Sequence, residues 1–363
     1  MATTIRVLVE DDVPAVAALV RRVYPDYRWA SAAACESYVR EPLFENPWCD
    51  FQLPSWVAED KGRVCGFYGV IPRWMQLRGR PLRVAVACHY MVDPDYRNAL
   101  TALQLAKACL TGPQDLTIAD GASDLSRRLW TGIGGTVPLL YSLHWTRPLR
   151  PARFALSLLE KRAAIPRALA LAARPLGALA DALAARLRPN RFYHENGNVA
   201  DGDLDADTML AHLPEVLHDN ALQPVYNARM LTCLLDRAAR KTRHGKLRTR
   251  AVRDGEQLIG WYLYYAQPGG VSEVIQLAAR EGRYDHVLKR LLADAWQHGA
   301  AAVHGRFDPR FATALSERHC WMRADGAWTL VHSRHADVLA AFQQGGAFLS
   351  RLDGEWWLEF FRD

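Results

Sequence analysis

Three side chains in the first half of the chain are of types that move protons: His89, Asp120 and Tyr141. His89 lies in Cys88-His89-Tyr90, inside an apolar run from Val84 to Val92 that reads as a strand. An imidazole ionises near pH ~6.5, so it can take a proton from an ammonium or an amine at neutral pH. A histidine satisfied in the core is the other reading of the same residue. Asp120 closes a second run in Ala119-Asp120-Gly121-Ala122. Carboxyl ends of strands are where α/β sheets place ligand groups; a helix cap or turn is its plainer role. Tyr141, within Leu139–Trp145, offers a phenol as an acid, or else a half-buried strand tyrosine. Tyr68 and Glu59 are weaker candidates.

The elements that must hold these groups follow from periodicity. Thr4–Val9 reads as a strand, and Asp11 or Asp12 caps a helix with Pro14 in its first turn. Ala15, Ala18, Leu19 and Val23 keep the helical period, and a second helix is expected over Ala32–Arg40. Ser55–Glu59, Val64–Ile71, Met75–Leu77 and Val84–Val92 read as a strand meander. A helix from Asn98, a strand Leu116–Asp120, a helix Leu125–Trp130, a glycine corner Gly132–Gly135 and a strand Leu139–Trp145 complete the series. This order predicts a mixed α/β sheet.

The grammar recurs about 190 residues later: Lys61-Gly62-Arg63-Val64-Cys65-Gly66-Phe67-Tyr68 is echoed by Asp254-Gly255-Glu256-Gln257-Leu258-Ile259-Gly260-Trp261-Tyr262. Helices Asp205–Leu213 and Asn227–Arg240, strands Leu247–Val252, Leu258–Tyr265 and Val271–Ala278, and helix Tyr284–His298 accompany the second copy. Val303-His304-Gly305-Arg306 takes the place of Ala119-Asp120-Gly121, and Trp328–His332 and Leu352–Leu358 read as neighbouring closing strands. Two related domains are therefore expected, 1–146 and 197–363, joined by a connector over 147–196.

The segment Val92-Asp93-Pro94-Asp95-Tyr96-Arg97 resembles the GNAT superfamily of acyl-CoA-dependent N-acyltransferases. There a Val-x-Pro-x-Tyr-Arg segment ends the central strand and leads to a helix N-terminus, whose free N–H groups and dipole hold a pyrophosphate. The resemblance implies that this strand splays from its neighbour and that acetyl-CoA, or another acyl-CoA, is the co-substrate. The backbone at Met91 or Val92 would then meet the thioester carbonyl, and Arg97, Asn98, Ala99, Leu100, Thr101 and Ala102 the phosphates. An amine of a small molecule or sugar would be the acceptor, with His89, Asp120 or Tyr141 moving the proton. The sequence departs from the pattern twice. Asn98-Ala99-Leu100-Thr101-Ala102 replaces a glycine-rich run, and Trp130 stands where the family often carries an acid tyrosine. Tandem domains with such loops are also similar to Fem-type aminoacyl-tRNA-dependent transferases. A binding protein with decayed acyl-CoA sites is a third reading.

Composition bounds the partners. The 363 residues carry a net charge of +6, yet Leu143–Phe192 holds ten Lys/Arg against Glu160 and Asp181, leaving about −2 elsewhere. Within Pro151–Pro189, Arg162, Arg167, Arg174, Arg186 and Arg188 punctuate apolar runs. Such a segment suits an anionic membrane surface or tRNA, or a helical pair packed on the domains. The seven scattered cysteines read as reduced, mostly buried thiols, and no metal-ligand spacing occurs. No apolar run of ~18 residues and no secretory signal form is present, so the expected location is cytoplasmic.

Overall fold

A computed structural model describes residues 3–27, 29–96, 99–161, 175–183, 201–324 and 326–354. In chain order the elements begin β1 (Thr4–Val7), α1 (Val13–Val23), α2 (Ala32–Leu43), β2 (Trp56–Asp60), β3 (Arg63–Leu77), β4 (Arg80–Val92), α3 (Ala99–Leu110), β5 (Leu116–Ala122) and α4 (Asp124–Gly132). They continue with β6 (Leu143–Pro148), α5 (Pro151–Lys161), a helix over 175–183 (α6), β7 (Asp201–Asp203), α7 (Ala206–Val216), β8 (Leu222–Pro224) and α8 (Ala228–Arg240). The rest are β9 (Lys246–Asp254), β10 (Gln257–Ala266), β11 (Val271–Ala279), α9 (Tyr284–Gln297), β12 (Ala302–Arg306), α10 (Ala312–Glu317), β13 (Trp321–Ala324), β14 (Trp328–His332) and α11 (Ala336–Gln343).

The chain forms two compact units, each built on a mixed sheet. The first comprises Met1–Ser142, Asn220–Ala238 and the chain from Gly326 on; the second comprises Leu143–Asp219 and Ala239–Asp325. In the first unit the order is β1-β2-β3-β4-β5-β14, with β8 against the far end of β3. Every pair is antiparallel except β4–β5, which α3 connects as a crossover. Val16, Val20, Cys35 and Val39 of α1 and α2 bury one face against Val57, Phe67 and Met91. Leu105, Cys109 and Trp130 of α3 and α4 bury the other against Ala58, Tyr68 and Ala87. Strand alternation puts Phe67 and Tyr68 on opposite faces.

In the second unit the order is β13-β6-β12-β11-β10-β9-β7. Here too one pair alone, β11–β12, is parallel among the described strands, and α9 lies between its members in sequence. Val287, Leu288, Leu291 and Ala295 of α9 pack on Ile259, Tyr262 and Tyr264 of β10. The glycine shared by the two echoed segments meets a helix in each. A Cβ on Gly66 would meet Leu105 of α3 at 2.9 Å, and one on Gly260 would meet Val287 of α9 at 2.8 Å. At Gly260 the adjacent strand is closer still, with the Ala278 carbonyl oxygen of β11 at 2.4 Å.

Several boundaries differ from those read in the sequence. Val64–Ile71 and Met75–Leu77 are one strand, β3, because Pro72 forfeits only a single donor in a long ladder. Leu139–Ser142 is a short 3-10 turn, and the strand after it, β6, pairs with β12 and β13 in the second sheet. The antiparallel neighbour of β5 is instead β14. In the described part of the 147–196 segment, β6 extends to Pro148, and Phe154 of α5 packs on Ala301 and Ala302 of the second unit. Asp181 of α6 caps α5 by accepting from the Ala152 and Arg153 N–H groups. Arg162, Arg167, Arg174, Arg186 and Arg188, and the closing run Glu355–Leu358, lie outside the described residues. All seven cysteines are unpaired, five of them buried. Among the described residues no helix is long and apolar enough to cross a membrane.

Candidate active site

The site begins with one extra residue in β4. Phe67 stands opposite Met91 and Gly69 opposite Cys88, so Tyr68 of β3 faces both His89 and Tyr90. This is a β-bulge, which bends its strand and increases the local twist. His89 takes the turn, with φ at 47°, a left-handed conformation that costs a non-glycine residue about 1–3 kcal/mol. Gly69 is its complement: a Cβ there would lie 2.6 Å from Cys88 Sγ and 3.0 Å from the Cys88 carbonyl oxygen.

The bend separates β4 from β5. The two are hydrogen-bonded partners only from Val84 to Val86, against Leu116 to Ile118. Beyond that they part around a cavity of about 250 Å³. Ala87, Cys88, His89 and Tyr90 of β4 form one wall, and Ala119, Gly121 and Ala122 of β5 the other. Small side chains on both strands leave the gap slim. Tyr24 and Tyr27, stacked 4.9 Å apart after α1, stand at the His89 end. Ser123, the N-cap of α4, and Ser126 and Trp130 of that helix complete the lining.

Three polar groups at this gap are held by their neighbours. His89 Nε2 meets the Tyr38 hydroxyl of α2, with the rings 5.2 Å apart, and the Tyr24 ring stands 6.2 Å from the imidazole. Tyr90 donates to the Ala102 carbonyl at 2.6 Å, and burial pushes its phenol pKa up. The Tyr68 phenol contacts the Cys109 thiol, which burial raises to about 12. Beyond the bulge, the Asp93 N–H donates to Cys65 O of β3. Amides along a strand alternate in direction, so Met91 N–H also faces β3 while Val92 N–H faces the edge from which β5 has withdrawn. Asp93 itself is fully buried and accepts from Arg22 and Arg63, which ties the end of β4 to α1 and β3.

Of the residues singled out from sequence, His89 lies in this cavity wall; Asp120 and Tyr141 do not. Asp120 is on the face of β5 opposite to that of Ala119 and Gly121, and a Cβ on Gly354 would come within 1.9 Å of its Oδ2. Tyr141 is buried in the core, donates to Ala347 O at 2.7 Å and accepts from Ala347 N–H at 3.0 Å. Both of its hydrogen-bonding directions are taken by structure. Met91 is buried against α1 and α2. Arg97 and Asn98 lie outside the described residues. Past them, α3 opens at Ala99 with first-turn amides that no intrahelical carbonyl can accept. The Leu100 side chain is 60% exposed and so turned outward, whereas Thr101 is buried on Thr3 Oγ1 at 3.1 Å. Leu100, which replaces a small residue of the glycine-rich pattern, therefore does not cover the backbone with its side chain. The tyrosines at 24, 27 and 38 and the serines of α4 carry no local motif, although Tyr24-x-x-Tyr27-x-Trp29 ahead of a helix was a readable aromatic cluster.

Residues 4–114 match the acetyltransferase (GNAT) domain. That span contains β4, its bulge and α3, and over most of its length the chain is similar in fold to solved structures. A GCN5-related N-acetyltransferase from Anabaena variabilis ATCC 29413 superposes with a TM-score of 0.59 at 11% identity, covering 94% of this chain and 75% of that one. One from Kribbella flavida gives 0.58 at 13%, covering 94% and 73%. Among curated proteins none matches.

Proposed function

We propose that the first unit transfers an acyl group from an acyl-CoA thioester to an amine, and that the two units descend from one duplicated domain. The observation that carries the first reading is the gap that the His89 bulge opens between β4 and β5. A pantetheine arm is thin and amide-rich, and a slot walled by Ala87, Ala119, Ala122 and Gly121 accepts such a chain where larger side chains would fill it. The positive end of the α3 dipole suits a diphosphate without needing side-chain charge. The common strand order, with one parallel pair spanned by a helix, supports the duplication.

The residues divide the work as follows. Val92 N–H donates to the thioester carbonyl oxygen as charge develops there, the kind of fixed dipole that contributes most to acyl transfer. His89, held by Tyr38, accepts the proton from the attacking amine. Tyr24 and Tyr27 cover that end and present ring faces that favour an ammonium or an apolar amine. The N–C bond forms, the C–S bond breaks with its electron pair going to sulfur, and CoA thiol and an amide result.

Isothermal titration of the protein with acetyl-CoA tests this reading, with Ala119→Trp as the variant that fills the slot. Wild-type binding that Ala119→Trp abolishes is the expected result. Absence of binding to the wild type, or binding indifferent to Ala119→Trp, would overturn it.

A further inference from the structure

The cavity lining carries two chemically different sets of groups, and acyl transfer needs both around one thioester. His89, with Tyr24 and Tyr27, suits the amine that attacks the carbonyl carbon. The sulfur bonded to that carbon must leave with its electron pair, and Trp130 offers it only an apolar surface, 1% exposed and packed against Gly135. An indole has one donor and ionises far too weakly to serve as an acid. One helical turn earlier on the same face of α4 stands Ser126, also in the cavity wall.

Ser126 belongs to a hydroxyl pair. Ser123 caps α4 by accepting from the Ser126 N–H at 3.3 Å, and the two Oγ atoms are 3.1 Å apart. Two hydroxyls have two hydrogens, and a single bond between them uses one. Either hydroxyl can donate in that pair; when Ser123 donates to Ser126 Oγ, the Ser126 hydrogen is left for another acceptor and is polarised by the bond its oxygen accepts. We infer that Ser126 takes this arrangement and is the catalytic donor to the thiolate leaving group. The pair lies in the first turn of α4, where the helix dipole favours negative charge. The one carboxylate of that turn, Asp124, is engaged by Arg127 at 3.0 Å and by Trp328 Nε1 at 3.0 Å. The other titratable groups facing the cavity are Tyr24, Tyr27, Tyr68, Cys88, His89 and Tyr90, from β3, β4 and the segment after α1. A hydrogen bond suffices in this role, because a thiol ionises near pH ~8.5 and its thiolate can depart without full proton transfer.

The inference rests on the acyl-CoA reading above, and its test separates the two. Free CoA is bound to wild type, Ser126→Ala and Ser126→Thr, and the bound thiol is titrated by its thiolate ultraviolet absorbance, with desulfo-CoA complexes as the blank for the protein's own cysteines. Wild type should lower the bound thiol's pKa below that of free CoA. Ser126→Ala should raise it by about one unit and reduce acetyl-CoA turnover about tenfold or more, and Ser126→Thr should restore both. CoA affinity at a pH where the thiol is neutral should be equal in all three, which shows that the site is intact. A bound thiol that titrates alike in wild type and Ser126→Ala overturns the inference and leaves the acyl-CoA reading standing. A wild type that binds no CoA overturns that reading and the inference with it.

Discussion

Substituting His89 by glycine and, in parallel, by alanine separates its backbone from its side chain. Both changes remove the imidazole, its bond to Tyr38 and its contact with Tyr24, so those losses cancel in the comparison. What differs is the Cβ at φ 47°. An L residue held left-handed suffers a clash worth about 1–2 kcal/mol. Glycine escapes that clash, while its greater freedom in the unfolded chain costs about 0.5–1 kcal/mol. The net expectation is that His89→Gly is more stable than His89→Ala by about 0.5–1 kcal/mol. For a unit of this size that is a difference of about 1–4 °C in Tm, readable by differential scanning calorimetry on matched samples. Acyl-transfer activity should fall alike in both, by about 10²–10⁴-fold, as for loss of a general base. An alanine variant as stable as the glycine variant would refute the left-handed bulge at His89, and with it the stated cause of the gap between β4 and β5.

Gly69→Ala should cost about 1–3 kcal/mol in chemical unfolding, because its Cβ meets Cys88 Sγ at 2.6 Å, and part of that loss should return in a Cys88→Ala background. Equal losses in both backgrounds would show that the sulfur is not the obstacle. Tyr141→Phe should lower stability by about 1–3 kcal/mol, since it strands the Ala347 N–H and carbonyl, and should leave turnover unchanged. A large fall in kcat with unchanged Tm would return Tyr141 to the chemistry. The Arg6 guanidinium holds the Asp12 carboxyl below the usual carboxylate range. A depressed carboxyl stabilises the fold above its unfolded pKa of about 3.9 and loses that contribution as pH falls through the folded value. Asp12→Asn should therefore lower Tm at pH ~7 and differ less from wild type near pH ~3; a constant difference across that range would contradict the linkage.

Local rules reached some of this fold and missed other parts for physical reasons. Gly66 and Gly260 were legible as a pair because each lies close to a helix of its own unit. The strand after Gly135 was legible as a strand, but not its partner. An antiparallel edge accepts any strand of matching pattern, and pairing of β6 with β12 rather than β5 is settled by contacts some 160 residues away in sequence. The bulge was invisible because nothing in Cys88-His89-Tyr90 marks a left-handed residue; histidine enters that region more readily than most residues but without obligation. Asp120 was misplaced for a different reason: alternation along β5 turns it toward Gly354 while Ala119 and Gly121 face the cavity, and the sequence of one strand does not say which of its faces the cavity will take. The serines of α4 read from sequence as a cap and a helix residue, and only the parting of β4 and β5 places them on a cavity wall.

The most direct measurement is a crystal structure of the protein grown with acetyl-CoA. The pantetheine arm should run between β4 and β5, with the thioester carbonyl within reach of His89 and its sulfur within reach of Ser126. Acetyl-CoA bound anywhere else, with β4 and β5 closed on each other past Val86, would contradict this placement.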